Sequence, residues 1–309
     1  MQPATRRHLL KAASGATALI ALQRAVPWLG TAAAQDDAVQ VQSLEESLHL
    51  LTVAGVNVVA RTTGTSTTLV DGGPRDSSAA LLETIAGLPG AGPVDILFNT
   101  HWHPGQTGSN ERLAAAGARI IAQENTRLWL STDVTYPWDG KTIAALPEQA
   151  LPNDTFYDDG GVLDSGPRYG HLRHAAHTDG DLYVHFPDEN VLAVGGVVSG
   201  SGWPFVDWWT GGWIGGIVGT LELVLALADA DTRIVAANGP VMQRDDIEQQ
   251  FAMYNLIYER LAEMLNRGRS PQEAVEAQPT AEFDAKMGPS EEFVRLAFQS
   301  LWAYLSPDA

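Results

Sequence analysis

The stretch that most restricts what this chain can become is a join. A mostly apolar run, Val94 to Phe98, passes straight into Asn99-Thr100-His101-Trp102-His103-Pro104-Gly105-Gln106-Thr107-Gly108. A short apolar run bounded by such a loop reads as a buried strand. Here the strand ends in two histidines one residue apart. Such a pair brings both rings to one ion if the local backbone bends. Ser109–Ala116 reads as a short helix after the loop and Arg119–Ala122 as the next strand, so helices have to stack against a sheet.

The flanking sequence repeats the pattern. Ser43 to Arg61 reads as two strands around Gly55, Leu48–Val53 and Val56–Ala60; Ser66–Asp71 is a third, ended by Asp71-Gly72-Gly73-Pro74. Ser77 to Leu88 has helical spacing, with Ser77 or Ser78 as its N-cap. Thr132 to Gly161 is rich in Pro, Asp and Thr and includes Tyr136-Pro137-Trp138; long connections of this kind serve function or are disordered. Strands return at Leu182–Phe186 and Val191–Val194. His49 and His185 fall in strand-like runs and are expected to be half-exposed; His171 and His174 precede His177 and are expected to decorate a strand. Val197 to Gly219 then gathers Trp203, Phe205, Trp208, Trp209 and Trp213 among glycines, either to wall a pocket or to pack between the sheet and the next helix. Ile214–Ala228 reads as an apolar helix, Arg233–Ala236 as a short strand, and Asp245–Arg267 as a long amphipathic helix with Ile247, Phe251, Leu256 and Leu261 near one face. Ser270–Ala277 and Ser290–Leu305 read as further helices. No internal repeat or linker marks a second domain.

The loop after Phe98 resembles the H-x-H-x-D-H-x-G signature of the metallo-β-lactamase superfamily. His101 and His103 match its first two histidines; Gly105 stands in place of the aspartate and Gln106 in place of the third histidine. His177-Thr178-Asp179-Gly180-Asp181 is similar to the family's next metal-binding motif, which makes His177 a ligand. Val191 to Gly196 resembles the strand that ends in Gly-Asp, with Gly196 replacing the bridging aspartate. Ile234 to Pro240 resembles the turn carrying the last histidine, replaced by Asn238. The likeness covers most of the chain from about His49 to the last helix. It implies a four-layer αββα sandwich, an α+β (α/β) architecture in which two sheets lie between helices.

The resemblance also implies chemistry. In the family one metal is held by three histidines and a second by Asp, His and His, with a shared Asp. Here the three-histidine site is complete and all four positions of the second site are changed, which points to a chain tuned to one ion. Three imidazoles with an open position form a catalytic zinc site, in which bound water reaches a pKa of about 7; the same trio can hold iron or copper. Gln106 and Asn238 are poor metal ligands but good hydrogen-bonding groups, and with Gly105, Gly196 and Trp203 they are expected to line the pocket. With Gly105 unable to orient water, Asp179, Asp181 and Asp71 are the candidate general bases by family position. Asp179 or Asp181 can equally act as partners that fix a histidine tautomer. The implied activity is hydrolysis of an ester, lactone or amide-like bond in a small-molecule substrate. The alternatives are a non-catalytic ligand-binding protein on the same scaffold and a three-histidine iron or copper redox protein.

Residues 1–34 read as an address rather than as fold. Thr5-Arg6-Arg7-His8-Leu9-Leu10-Lys11 resembles a twin-arginine export signal, Ala12 to Leu22 is mildly apolar, and Thr31-Ala32-Ala33-Ala34 offers a cleavage site. The folded domain is then 35–309, and the expected location is the periplasm. The chain has no cysteine, which removes disulfides, thiolate metal ligands and thiol nucleophiles. Its net charge of −18 argues against nucleic acid and anionic membrane surfaces as partners. No stretch past the N-terminus has the length and hydropathy to span a bilayer. The sequence leaves the oligomeric state open.

Overall fold

The computed structural model describes residues 38–164, 166–172 and 175–305. The segment read as an export signal, His8 and His174 lie outside these residues. The first sheet has seven strands. β1 (Gln40–Ser43), β2 (Leu48–Val53), β3 (Val56–Thr62) and β4 (Thr67–Val70) run as an antiparallel meander; β5 (Val94–Phe98), β6 (Arg119–Gln123) and a later edge strand then continue in parallel. Between these strands lie α1 (Ser78–Ala86), α2 (Pro104–Thr107) and α3 (Asn110–Ala115). The helix α4 (Glu124–Leu130) follows β6, with Gln123 as its N-cap: the Gln123 side chain accepts from Asn125 N at 2.5 Å.

The stretch expected to be one long connection is more structured than its composition suggests. It contains a small hairpin, β7 (Val134–Thr135) with β8 (Thr142–Ile143), and then β9 (Asp154–Phe156), which supplies the parallel edge strand beside β6. The second sheet has five strands in sequence order: β10 (Gly161–Val162), β11 (Arg168–His171), β12 (Leu182–Phe186), β13 (Val191–Gly195) and β14 (Arg233–Ala236). Only β13 and β14 are parallel, because α5 (Ile214–Leu227) crosses over between them. The chain closes with α6 (Arg244–Asn266), α7 (Pro271–Glu276), α8 (Asp284–Met287) and α9 (Glu291–Leu305).

Alternation along each strand decides which layer a side chain joins, since successive residues face opposite sides of a sheet. Leu48, Leu50, Val59, Val70 and Phe98 of the first sheet meet Leu182, Val184, Phe186, Val191, Ala193 and Val235 of the second. The intervening positions point outward. Leu51, Val53, Val58, Ala60, Leu69 and Leu97 pack under Leu81 and Ile85 of α1 and Leu113 of α3. On the far side Leu192, Val194, Ile234 and Ala236 pack under Ile217, Leu221 and Val224 of α5, together with α6 and α9. Three apolar interfaces between four layers, two sheets flanked by helices, give the αββα sandwich. Polar ties reinforce the sheet pair at one end: Arg61 Nε meets Glu189 Oε1 at 2.7 Å, and Arg233 Nη2 meets Glu45 Oε1 at 2.6 Å. His49, expected to be half-exposed, is 95% buried in this sheet (5% exposed), where burial lowers its pKa. His185 is partly buried on β12, and His171 ends β11 with Nε2 3.3 Å from Asp179 O.

Candidate metal centre

Two strand ends and two loops meet at one edge of the sandwich. β4 ends at Asp71, which adopts a left-handed φ of 64°, a conformation that aspartate tolerates better than most residues. The turn aims its carboxylate at the loop after β5: Oδ1 accepts from Thr100 N and Oδ2 from Thr100 Oγ1, both at 2.8 Å. The loop places His101 and His103 on either side of Trp102, and Pro104 starts α2 immediately afterwards. β13 ends against it at Gly195, whose φ is +59°; a Cβ there would lie 2.6 Å from Thr100 Oγ1.

The third histidine comes from the β11–β12 connection. Asp181 shapes that turn: Oδ2 accepts from His177 N and Thr178 N at 2.8 Å, and Oδ1 from Thr178 Oγ1 at 2.7 Å. A backbone bond from Leu182 N to Thr100 O, 2.9 Å long, ties the two histidine loops together. The rings of His101, His103 and His177 consequently converge, with a ligand atom of each lying within 4.8 Å of the others, and all three are buried.

Each ring has a partner on its outer nitrogen. His177 Nδ1 faces the Phe205 carbonyl at 2.7 Å and must donate to it. His103 Nε2 faces Asp207 Oδ2 at 2.9 Å and donates likewise. With Asp71 ionised, Thr100 spends its proton on that carboxylate, so its oxygen accepts from His101 Nδ1, 2.9 Å away. Neutral rings so arranged turn three lone pairs inward: His101 Nε2, His103 Nδ1 and His177 Nε2. The last two are 3.0 Å apart. Neither carries a hydrogen, so they are at hydrogen-bonding distance with nothing between them to bond. A proton is a poor filler, because burial and the adjacent rings push the His177 pKa down to about 3 and that of His101 well below its usual range. A divalent cation suits this donor set, and the surroundings favour one: Asp71, Asp181 and Asp207 are all buried beside the trio.

The other expected site residues fall in different places. Asp71 and Asp181, two of the candidate bases, are buried with their oxygens engaged by the donors named above; burial raises both to about 7, against those hydrogen bonds. Asp179 is half-buried; Trp129 Nε1 donates to its Oδ1 at 2.7 Å, and burial raises it to about 6. Gln106 is buried in α2, three residues after His103. Gly105 sits in α2 with room for a Cβ, which would meet Val56 Cγ2 at an ordinary contact distance of 3.6 Å. Gly196 is the reverse case: a Cβ would collide with the His177 ring, 2.5 Å from Nε2. Asn238 is exposed and meets Ser201 at 3.5 Å. Trp203 does not wall the centre. Its indole stacks on Phe293 of α9 at 4.6 Å and 12°, and its Nε1 donates to Gly288 O, so an aromatic face and a partly buried carbonyl hold it elsewhere.

The aromatic wall is made by other residues of the same two stretches. Phe205 lies 5.6 Å from the His103 ring and 6.0 Å from that of His177. Tyr136 is fully buried, stacked on Trp138 at 4.6 Å, and Trp138 in turn approaches Trp208 at 5.8 Å. Beside the loop, Trp102, Trp129, Leu130, Ile143 and Leu146 line an apolar cavity of about 170 Å³. Sequence reasoning passed over Asp207 as a site residue, whereas the Tyr136-Pro137-Trp138 segment is read there as shaping the pocket entrance.

The profile of the metallo-beta-lactamase superfamily matches residues 51–239, more than half of the 309-residue chain and the whole of the site. The chain belongs to that superfamily. Solved metallo-β-lactamases share its fold: the DIM-1 metallo-beta-lactamase aligns with a TM-score of 0.56 at 14% identity, over 70% of this chain and 97% of that one. FIM-1 from Pseudomonas aeruginosa, in its mono-zinc form, gives 0.57 at 16%, over 71% and 96%. The stereoselective inverting sec-alkylsulfatase Pisa1 from Pseudomonas sp. gives 0.63 at 11%, over 88% of this chain and 51% of that one. At such identities the likeness is one of fold.

Proposed function

We propose that this superfamily member is an exported hydrolase carrying a single metal ion, zinc, which cleaves an ester, lactone or amide-like bond in a small-molecule substrate. The observation that carries the reading is the inward convergence of three neutral, buried imidazoles whose outer nitrogens are already engaged. His101, His103 and His177 would hold the ion. When bound, a zinc ion supplies Lewis acidity, polarising a carbonyl and bringing the pKa of water to about 7.

The chain's own residues support one ion rather than two. Gly105, Gln106, Gly196 and Asn238 stand at the second site's positions, and none of the four carries a carboxylate, imidazole or thiolate. The His177 ring takes the space that a side chain at 196 would need. Gln106, buried in the helix that follows His103, offers an amide that can donate to a substrate carbonyl. Phe205, with Trp138 and Trp208 behind it, keeps one side of the centre apolar and water-poor. Among the three expected aspartates only Asp179 retains partial exposure, and proton transfer is assigned to it. The twin-arginine-like segment supports export of the folded chain to the periplasm.

The test is turnover by zinc-supplemented protein on a panel: an aryl ester, a γ-lactone, a β-lactam and, because one fold relative is a sec-alkylsulfatase, a secondary alkyl sulfate. Hydrolysis of at least one substrate, abolished in His177→Ala, is expected. Zinc-loaded protein inert towards all four, or turnover surviving that substitution, overturns the reading.

A further inference from the structure

The least explained group near the centre is Asp207. It lies in the aromatic loop between Phe205 and Trp208, and it is fully buried. Its backbone is pinned: Asp207 N donates to His177 O at 3.1 Å, and its own carbonyl accepts from Gly212 N at 2.8 Å. Its side chain is lopsided. Oδ2 receives three donors, Thr210 Oγ1 at 2.7 Å, His103 Nε2 at 2.9 Å and Tyr136 OH at 3.1 Å. Oδ1 is buried with no hydrogen-bond partner. No lysine or arginine pairs with it among the described ion pairs, of which His103 alone involves this carboxylate.

The donors fix the direction of every proton. Trp102 Nε1 can only donate, and it donates to Thr210 Oγ1 at 3.1 Å, so the Thr210 hydroxyl proton goes to Asp207. Oδ2 is therefore an acceptor, and His103 must present Nε2–H to it. The ring is left with its lone pair on Nδ1, the atom facing His177 Nε2. A buried carboxylate without a protein cation is costly. The nearest place for a compensating charge is across the imidazole, at the centre of the histidine trio.

We propose that Asp207 is a positioning residue: through its hydrogen bond to His103 it sets the ring's tautomer and orientation, and its negative charge favours a divalent cation in the three-histidine site. Carboxylate–histidine–metal relays of this kind typically contribute about 10- to 100-fold to metal affinity. Tyr136 and Thr210 serve the same end by holding Oδ2 in place. The proposal rests on the trio being a metal centre, and its test is chosen to fail separately from that reading.

The experiment titrates cobalt(II) into metal-stripped wild type, Asp207→Asn and Asp207→Ala, against a chelating dye. Asparagine is isosteric and can keep an oxygen where Oδ2 is, so it removes the charge alone; alanine removes the hydrogen bond as well. Wild type should bind one cobalt. Asp207→Asn should bind roughly 10-fold more weakly and Asp207→Ala roughly 100-fold more weakly, with unchanged circular dichroism. Ring nitrogen NMR on metal-free wild type supplies a readout that a merely structural role would not move: His103 should be the Nε2–H tautomer, and in Asp207→Ala it should become a mixture. Should either variant fail to fold, the wild-type tautomer still decides. An Nδ1–H His103 in wild type, or equal cobalt affinity in both variants, overturns the assignment of Asp207. Wild type that binds no cobalt at all overturns the metal centre itself.

Discussion

At the scale of single residues, the ligands were the easiest part of the site to read and their supports the hardest. His101 and His103 announce themselves by spacing at a strand end, and His177 by its place in a second motif. Asp207 gives no such signal. It lies 104 residues from the histidine it supports, in a run of aromatics that reads equally well as packing. The clue available in sequence was energetic: an acid between Val206 and Trp208 has to find donors if it is buried. The misplaced bases have a similar cause. Asp71 and Asp181 stand at family positions, but in the folded chain backbone amides and threonine hydroxyls already engage their oxygens. Gly196 provides a prediction at this scale. Gly196→Asp restores the family's bridging residue in sequence, yet its Cβ would run into the His177 ring. Metal affinity in that variant should fall rather than rise. Competition titration checks this, and a second tightly bound ion would count against it.

At the scale of elements, short apolar runs bounded by turn residues made β2, β3, β12, β13 and β14 legible to within two residues, because these strands are covered on both faces and bury successive side chains in different layers. The polar stretch after α4 was not legible. Its strands are two or three residues long, too short to show any period, and they are defined by pairing with distant partners. Trp203 went astray for the same reason: loop aromatics choose partners in three dimensions, and α9 offered Phe293. Two predictions concern how elements carry the site. Phe98, at the end of β5, is fully buried between the sheets, 5.0 Å from the Tyr169 ring. Phe98→Ala should cost about 3–5 kcal/mol, visible in urea unfolding, and should loosen the histidine loop that β5 delivers. Gly195 joins β13 to that loop at a positive φ with no room for a Cβ. Gly195→Ala should lower Tm and weaken metal binding together; a fall in Tm with metal affinity intact would show that the two loops are not coupled there.

At the scale of the whole molecule, the sandwich brings chain segments more than 100 residues apart to one edge and buries three acids there with little compensating charge. This makes stability depend on pH in a definite sense. Asp71 has an ordinary pKa of 3.8 and a folded value of about 7, raised by burial. Between those values the folded state holds more protons than the unfolded one, so this group's contribution is full below pH 3.8 and is lost as pH rises through 7. His177, depressed to about 3, acts the opposite way below its ordinary 6.5. Comparing variants isolates the first effect. In metal-stripped protein, Asp71→Asn should gain stability relative to wild type, on the order of a few kcal/mol, as pH is raised from 4 to 7.5. Urea unfolding at the two values measures it, and a difference independent of pH would refute the sign. A bound cation should shrink the effect by compensating the carboxylates.

The most direct check is the metal content of the purified mature protein by elemental mass spectrometry, after supplementation with zinc, iron and copper in turn. The account predicts about one equivalent of zinc per chain, lost when His177 is replaced by alanine. Two equivalents would contradict the single-ion reading, retained iron or copper would contradict the hydrolytic one, and a chain that holds no ion under any of these conditions would contradict the centre as a whole.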